Sequence, residues 1–216
     1  MRIVALGDRD TKYLTHREVD AALALLEGAD WVATDDPAAR DLDGAGGVWL
    51  LPGTPYRDAD AALHAVRHCA TTGTRFLGTC GGFQYACIAL ARDRAGLAAT
   101  AHAESDPDAP APIIAPLQCS LYGETRTVTP VAGTRLAQIC GTAPFDGYHY
   151  CGYGLSDDGA GALRDAGVTI AATAPDAGVE AIELPDHPFF LATAFQPQVG
   201  VGASGRLPAL LAAFAH

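Results

Sequence analysis

Lysine is almost missing from this 216-residue sequence: Lys12 stands alone, no cluster of arginines makes up for it, and the formal net charge is −11. A phosphate backbone is bound by basic patches, so nucleic acid is excluded as a main partner. Long apolar runs are also lacking. Apolar residues make up 49% of the chain, yet no run approaches the roughly 18 residues that read as a membrane span. The Met1–Asp8 segment has no charged lead, long apolar stretch and small-residue cleavage site of an export signal. It reads as a first β-strand, and the expectation is a cytoplasmic protein with no membrane partner. The six cysteines (Cys69, Cys80, Cys87, Cys119, Cys140 and Cys151) form no CxxC pair and no regular spacing. That argues against a zinc site of the usual kind and against a disulfide framework. No metal or cofactor is expected.

What is present is an alternation of short apolar runs and helical patterns. Residues 2–7 and 48–52 read as buried parallel strands ending in Gly or Pro turns. Between them, Val19, Ala22, Leu23 and Leu26 recur at helical spacing over Thr15–Leu26, with Gly28 just beyond. A second amphipathic helix is expected over Asp58–Cys69, a strand over Arg75–Gly78, and a third helix from about Gly82 to Arg94. After the proline-rich acidic stretch 103–112, extended segments are expected at Leu117–Leu121, Glu124–Thr129, Tyr148–Leu155, Gly178–Leu184 and Phe189–Phe195, and then a closing helix from about Leu207. Such alternation predicts an α/β fold: one domain over residues 1–216, with a mostly parallel, flavodoxin-like sheet, right-handed crossovers, helices on both faces and an additional short β segment.

The most informative stretch is Phe76-Leu77-Gly78-Thr79-Cys80-Gly81-Gly82-Phe83-Gln84: a strand, then G-x-C-x-G, then a helix. Flanking glycines let the backbone turn sharply and lift the middle side chain at the sheet's C-terminal edge, where open α/β sheets bind ligands. The start of the following helix favours negative charge and an ionised thiol.

These residues resemble the nucleophile elbow of class I glutamine amidotransferases, and the continuation Tyr85–Asp106 is similar to the corresponding segment of the amidotransferase domain of CTP synthases. Leu51-Pro52-Gly53 resembles the family's oxyanion strand, and Glu183–Phe190 (ELPDHPFF) the run before its catalytic histidine. The resemblance covers nearly the whole chain and excludes the ATP-using synthetase domain. It implies that Cys80 is a nucleophile forming a thioester. The N–H groups of Gly53 and Gly81 would make the oxyanion hole. Gln84 and Glu104 would hold the polar end of a substrate, Glu104 being suited to an ammonium group.

Two departures stand out. Where the family has F-H-P-E, with its catalytic base and orienting carboxylate, this chain has Phe195-Gln196-Pro197-Gln198. Neither amide accepts a proton at neutral pH. The segment that carries the family's carboxylate-binding arginine reads Tyr148-His149-Tyr150-Cys151-Gly152-Tyr153-Gly154, with no arginine. Ordinary glutaminase activity is therefore not expected. His149 is the best replacement base, and Tyr148 and Gln196, from the altered segments, join the substrate-binding set. His187 is read as structural, and His64 and His68 as a solvated helix face. His102 is taken for a solvated loop residue, and Cys119 and Cys151 for space-fillers, with Cys151 the stronger alternative as a second thiol near Cys80. The expected activity is thiolate attack, ending in hydrolysis or acyl transfer, on a small amide- or ester-like molecule bearing an amino group. The alternative is a non-catalytic binder of a small amino compound that regulates a partner enzyme. Besides the small-molecule substrate, a partner enzyme, which could also supply the missing base, or a second copy of the chain are the partners considered.

Overall fold

The computed structural model describes residues 2–26, 28–200 and 207–216. The expected α/β architecture is present. Strands β1 (Ile3–Leu6), β2 (Ala29–Val32), β3 (Gly47–Leu50), β4 (Arg75–Thr79) and β11 (Phe190–Thr193) pair in parallel in the order β2-β1-β3-β4-β11. The sheet continues antiparallel through β10 (Gly178–Glu183), β9 (Thr169–Ala174), β6 (Glu124–Pro130) and β7 (Phe145–His149). A separate two-stranded piece, β5 (Ile114–Pro116) with β8 (Tyr153–Leu155), is the short extra β segment.

The apolar runs behave as strands buried on both faces, with alternate residues feeding two cores. Val4, Leu6, Val48, Leu50 and Phe76 pack on one side of the sheet beneath α2 (Ala59–Thr72), α3 (Gly81–Arg94) and α5 (Asp157–Asp165). Ile3, Ala5, Trp49, Leu51 and Leu77 pack on the other beneath α1 (Leu14–Leu23), α4 (Arg135–Cys140) and α6 (Leu207–Ala215). Helix α2 starts where Asp58 accepts a hydrogen bond from the Ala61 N–H and stops at Gly73, whose φ of 79° is open to glycine. No helix among the described residues is long and apolar enough to cross a membrane.

Some expected elements differ. Leu117–Leu121 is not a strand: the N–H groups of Leu117 and Leu121 each reach a separate carbonyl, of Gly152 and Cys151, with no ladder between them. Tyr148–Leu155 divides into β7 and β8, because the chain turns out of the sheet at Tyr150–Gly152. β2, β9, α4 and α5 add to the expected set; they are short or half-buried, so their apolar pattern is weak.

The parallel half meets α3 at its tightest point. A Cβ built on Gly82 would lie 2.1 Å from the Leu50 carbonyl oxygen, and one on Gly78 would lie 2.7 Å from the Gly82 carbonyl oxygen. Only hydrogen fits, so the helix start presses directly on β3 and β4. We predict that Gly82→Ala lowers stability by about 3 kcal/mol through overpacking against backbone. Gly161→Ala, in α5 with nothing within 4 Å of its Cβ, is expected to be neutral or slightly stabilising. Urea-denaturation midpoints of the two variants check this; equal midpoints would refute the packing account.

Candidate active site

Close packing at Gly78 and Gly82 leaves residue 80 in an unusual conformation. Cys80 caps α3 with φ 52° and ψ −104°, the one non-glycine positive φ among the described residues. Such backbone costs on the order of 1–3 kcal/mol and persists only where the surroundings impose it. Here they do: the Cys80 N–H donates to the Thr193 carbonyl at 2.8 Å, and its carbonyl accepts from the Gln84 N–H at 3.1 Å. The side chain is thereby held at the C-terminal edge of β4, and although only 6% of the residue is exposed, it lines a cavity of about 200 Å³.

The cavity gathers residues from distant parts of the chain. Thr15 and His16 come from α1, Pro52 and Gly53 from the turn after β3, Gln196 from the turn after β11, and Gln84 and Glu104 from beyond the elbow. Gly53 and Gly81 lie side by side: a Cβ on Gly81 would stand 2.9 Å from the Gly53 carbonyl oxygen. Tyr13, Tyr122 and Tyr150 form the rim, their rings meeting edge to face at 5.9 Å (Tyr13–Tyr150) and 5.2 Å (Tyr122–Tyr150). No lysine or arginine lines this cavity.

Glu104 supplies its charge. Its Oε2 is buried and has no hydrogen-bond partner among the described residues. A desolvated carboxylate oxygen left open in a cavity is costly unless a cation or donor arrives there. Gln84, by contrast, is engaged at both ends: Nε2 donates to the Tyr153 carbonyl at 2.9 Å, and Oε1 accepts from His102 Nε2 at 3.0 Å. Its visible role is to brace the wall. His102 corrects the solvated-loop expectation. It is 3% exposed and receives the Glu104 N–H on Nδ1 at 3.1 Å, which leaves Nε2 to carry the proton toward Gln84. Burial pushes its pKa down to about 4.

The two amides in the altered segment bond to each other: Gln198 Nε2 donates to Gln196 Oε1 at 2.8 Å, and both are buried. The pair spans the cavity edge without offering a base. Tyr148 and His149 do not line the cavity. Tyr148 sits half-buried on β7, and its carbonyl accepts from the Gln196 N–H at 2.9 Å. His149 is wholly buried, with Nε2 at 2.9–3.0 Å from both carboxylate oxygens of Glu180, itself wholly buried on β10. Cys151, two residues on, lines the cavity together with Cys80, whose thiol donates to the Tyr150 carbonyl at 3.9 Å. His187 is structural as expected: its Nδ1 accepts from the Phe189 N–H at 3.1 Å, and Nε2 donates to the Cys69 carbonyl at 2.8 Å.

Sequence reasoning missed His16 and the tyrosine rim. His16 accepts the Asp10 N–H at 2.8 Å and donates to the Pro52 carbonyl at 3.1 Å, fixing the turn that carries Gly53. Its only sequence signal is a place in an otherwise ordinary amphipathic helix.

A thiol raised on a strained strand–helix elbow, above a helix start and at the C-terminal edge of a sheet with this strand order, defines a class I glutamine amidotransferase-like protein. The chain belongs to the Peptidase C26 family, whose model matches residues 52–198. It is 34% identical over 183 residues to the CTP synthase of Rubrobacter xylanophilus, covering 78% of this chain and 33% of that protein. It is 31% identical over 196 residues to the CTP synthase of a Synechococcus species, covering 84% and 35%. The chain thus spans about a third of the length of the curated relatives it matches. Among solved structures, the glutaminase domain of Trypanosoma brucei CTP synthase superposes with a TM-score of 0.83 at 22% identity, covering 100% of this chain and 92% of that one. A glutamine amidotransferase from Thermotoga maritima superposes with a TM-score of 0.61 at 13% identity, covering 99% and 82%.

The depressed pKa of His102 sets a pH dependence. Its folded value, about 4, lies below the roughly 6.5 of an unfolded histidine, so the unfolded chain binds more protons between these values. The neutral ring's contribution is full above pH ~6.5 and fades as pH falls toward 4. We predict that His102→Gln removes on the order of 2–3 kcal/mol of the stability lost between pH 7 and pH 4. Urea unfolding of both proteins across that range checks it; parallel pH profiles would refute it.

Proposed function

We propose that this chain is a cysteine-dependent enzyme. In this reading Cys80 attacks the carbonyl carbon of a small amide- or ester-like molecule carrying an amino group, and hydrolysis or acyl transfer follows. The observation that carries the reading is the placement of the Cys80 sulfur in a cavity that also holds the open, buried carboxylate oxygen of Glu104. The N–H groups of Gly53 and Gly81, beside the sulfur, are assigned to the developing oxyanion.

Charge complementarity narrows the substrate. A cavity with an unpartnered carboxylate and no lining cation accepts an ammonium group and discriminates against a substrate carboxylate. The substrate is therefore read as an amine rather than an α-amino acid, which agrees with the absence of arginine from Tyr148–Gly154. The tyrosine rim supports an apolar group at the mouth. Substrate also supplies part of the activation. The thiol of Cys80 is held well above the ordinary thiol range by its hydrogen bond to Cys151, by burial and by the negative charges of Cys151 and Glu104, with the Gly81 N–H opposing. An ammonium group on Glu104 cancels one of these terms and eases ionisation when the cavity is filled.

A second reading, a non-catalytic binder of an amino compound, draws on the buried, mutually bonded Gln196 and Gln198, read from the resemblance as replacing a base and its orienter. The two are separated by a panel of small amine-bearing amides, esters and thioesters, together with iodoacetamide. For the enzyme, Cys80→Ala lowers turnover by about 10³-fold or more, and iodoacetamide leaves an adduct on Cys80. Glu104→Gln raises KM for amine-bearing substrates by about 10-fold or more and spares analogues lacking the amine. Tight amine binding that survives Cys80→Ala, with no turnover and no adduct, would establish the binder instead.

A further inference from the structure

Around Cys80, the nitrogen groups that could take up its proton are already engaged. His16 is the one histidine lining the cavity among the described residues. Its Nδ1 receives the Asp10 N–H at 2.8 Å and its Nε2 donates to the Pro52 carbonyl at 3.1 Å, so no ring lone pair is left. His102 and His149 lie outside the lining. Gln84 is bonded at both ends of its amide. Gln196 accepts from Gln198 on Oε1 at 2.8 Å, and the NH2 that remains to it can only donate. The Cys80 thiol itself donates to the Tyr150 carbonyl at 3.9 Å, and a backbone carbonyl is too weak a base to remove the proton. Glu104 Oε2 is open, but in the proposed reading the ammonium group of the substrate covers it.

This wiring restricts what the site can cleave. A thiol that attacks without a base has to hand its proton to the group it expels, so the departing atom should be no more basic than sulfur. Nitrogen must be protonated as it leaves, and an alkoxide is far more basic than a thiolate. Without a positioned acid or base, such substrates lose on the order of 10²–10⁴ in rate. A departing thiolate, by contrast, matches the sulfur that displaces it. The donors at hand suit that case: the Gln196 NH2 lines the same cavity and can steady an atom that leaves with negative charge.

We infer that the acyl donor is a thioester whose acyl part carries the amino group, and that the protein passes this acyl group from one thiol to another. The inference rests on the proposed cysteine chemistry and names its substrate class. Cys80 Sγ bonds to the acyl carbon, and the C–S bond of the donor breaks with its electron pair going to the departing sulfur. The Cys80 proton ends on that sulfur, which releases a free thiol and leaves an acyl thioester on Cys80. A second thiol then runs the exchange in reverse. Its sulfur bonds to the acyl carbon, the bond to Cys80 breaks, and its proton returns to Cys80. Neither half uses an oxidant, a reductant or an outside base. Water gives up a proton far less readily than a thiol, so hydrolysis is slow beside exchange for the same reason. With the ammonium group on Glu104, the thiol part is left for the mouth, where Tyr13, Tyr122 and Tyr150 are exposed and offer apolar surface.

A matched series tests this. The β-alanyl and ε-aminocaproyl groups are each presented as the N-acetylcysteamine thioester, the ethyl ester and the primary amide, and every rate is compared with a protein-free blank. Exchange is followed by mass spectrometry with deuterated N-acetylcysteamine as the second thiol. The expected result is an acyl adduct on Cys80 and thioester exchange at least about 10-fold faster than thioester hydrolysis. The ethyl esters and amides are expected to stay at the blank. Cys80→Ala abolishes exchange, and Gln196→Leu slows it by about 10-fold or more. A propionyl thioester, which lacks the amine, exchanges about 10-fold or more slowly. Turnover of the ethyl ester or amide within about 10-fold of the thioester would overturn the inference and leave the Cys80 enzyme standing, because a base would then be at work. Iodoacetamide labelling of Cys80 with no acyl adduct from any thioester would overturn it too. Absence of both the acyl adduct and the iodoacetamide adduct would sink the Cys80 reading itself.

Discussion

Contact between the first turn of α3 and the backbone of β3 is the constraint from which the site follows. Leu50's carbonyl oxygen occupies the space that a Gly82 side chain would need, and Gly82's own carbonyl crowds Gly78 in the same way. With helix and sheet this close, the residue between them has no relaxed conformation, and Cys80 takes a positive φ. The neighbouring strand closes the trap: Thr193 on β11 accepts the Cys80 N–H. A side chain anchored from two strands and a helix has little rotational freedom, which is what a nucleophile needs in order to meet a carbonyl at fixed geometry.

Around that anchor, the protein treats its buried polar groups in two ways. One group is tied off completely. The line from the Glu104 N–H through His102 and Gln84 to the Tyr153 carbonyl uses nearly every donor and acceptor it contains and braces the cavity wall. Neutral rings and satisfied amides are compatible with a dry interior. The other group is left open: an oxygen of Glu104, a nitrogen of His149 and the Oε1 of Gln198 are buried without partners among the described residues. Unsatisfied buried groups cost stability, and of these three residues Glu104 is the one that lines the cavity of Cys80.

Local chemistry made part of this legible in sequence. G-x-C-x-G after an apolar strand announces a sharp turn because glycine is the only residue that tolerates both the backbone angles and the contacts. Cys80 was found from such a pattern and Glu104 from the family resemblance, and both line the cavity. Gln84 was also found, but its amide turned out to be consumed in bracing. His102 was misjudged because proline and acidic residues around it have the composition of an exposed loop, while its burial depends on α3 and β8 closing over it. The tyrosine rim is drawn from Tyr13, Tyr122 and Tyr150, residues that no periodicity connects.

The sequence by itself determined the strand–turn–helix that lifts a thiol, the double-faced apolar strands beneath it, and two amides, Gln196 and Gln198, in the segment after β11. These depend on neighbours in the chain, where steric limits and side-chain chemistry act over a few bonds. Only the tertiary structure decided which histidine kept an unpartnered nitrogen and which second cysteine shares the cavity of the first. Glu180 meets His149 across strands β10 and β7, which are not adjacent in the sheet. Cys151 lines the same cavity as Cys80 from more than seventy positions along the chain. Hydrogen bonding and desolvation depend on distance in space, and the fold of the sheet sets that distance.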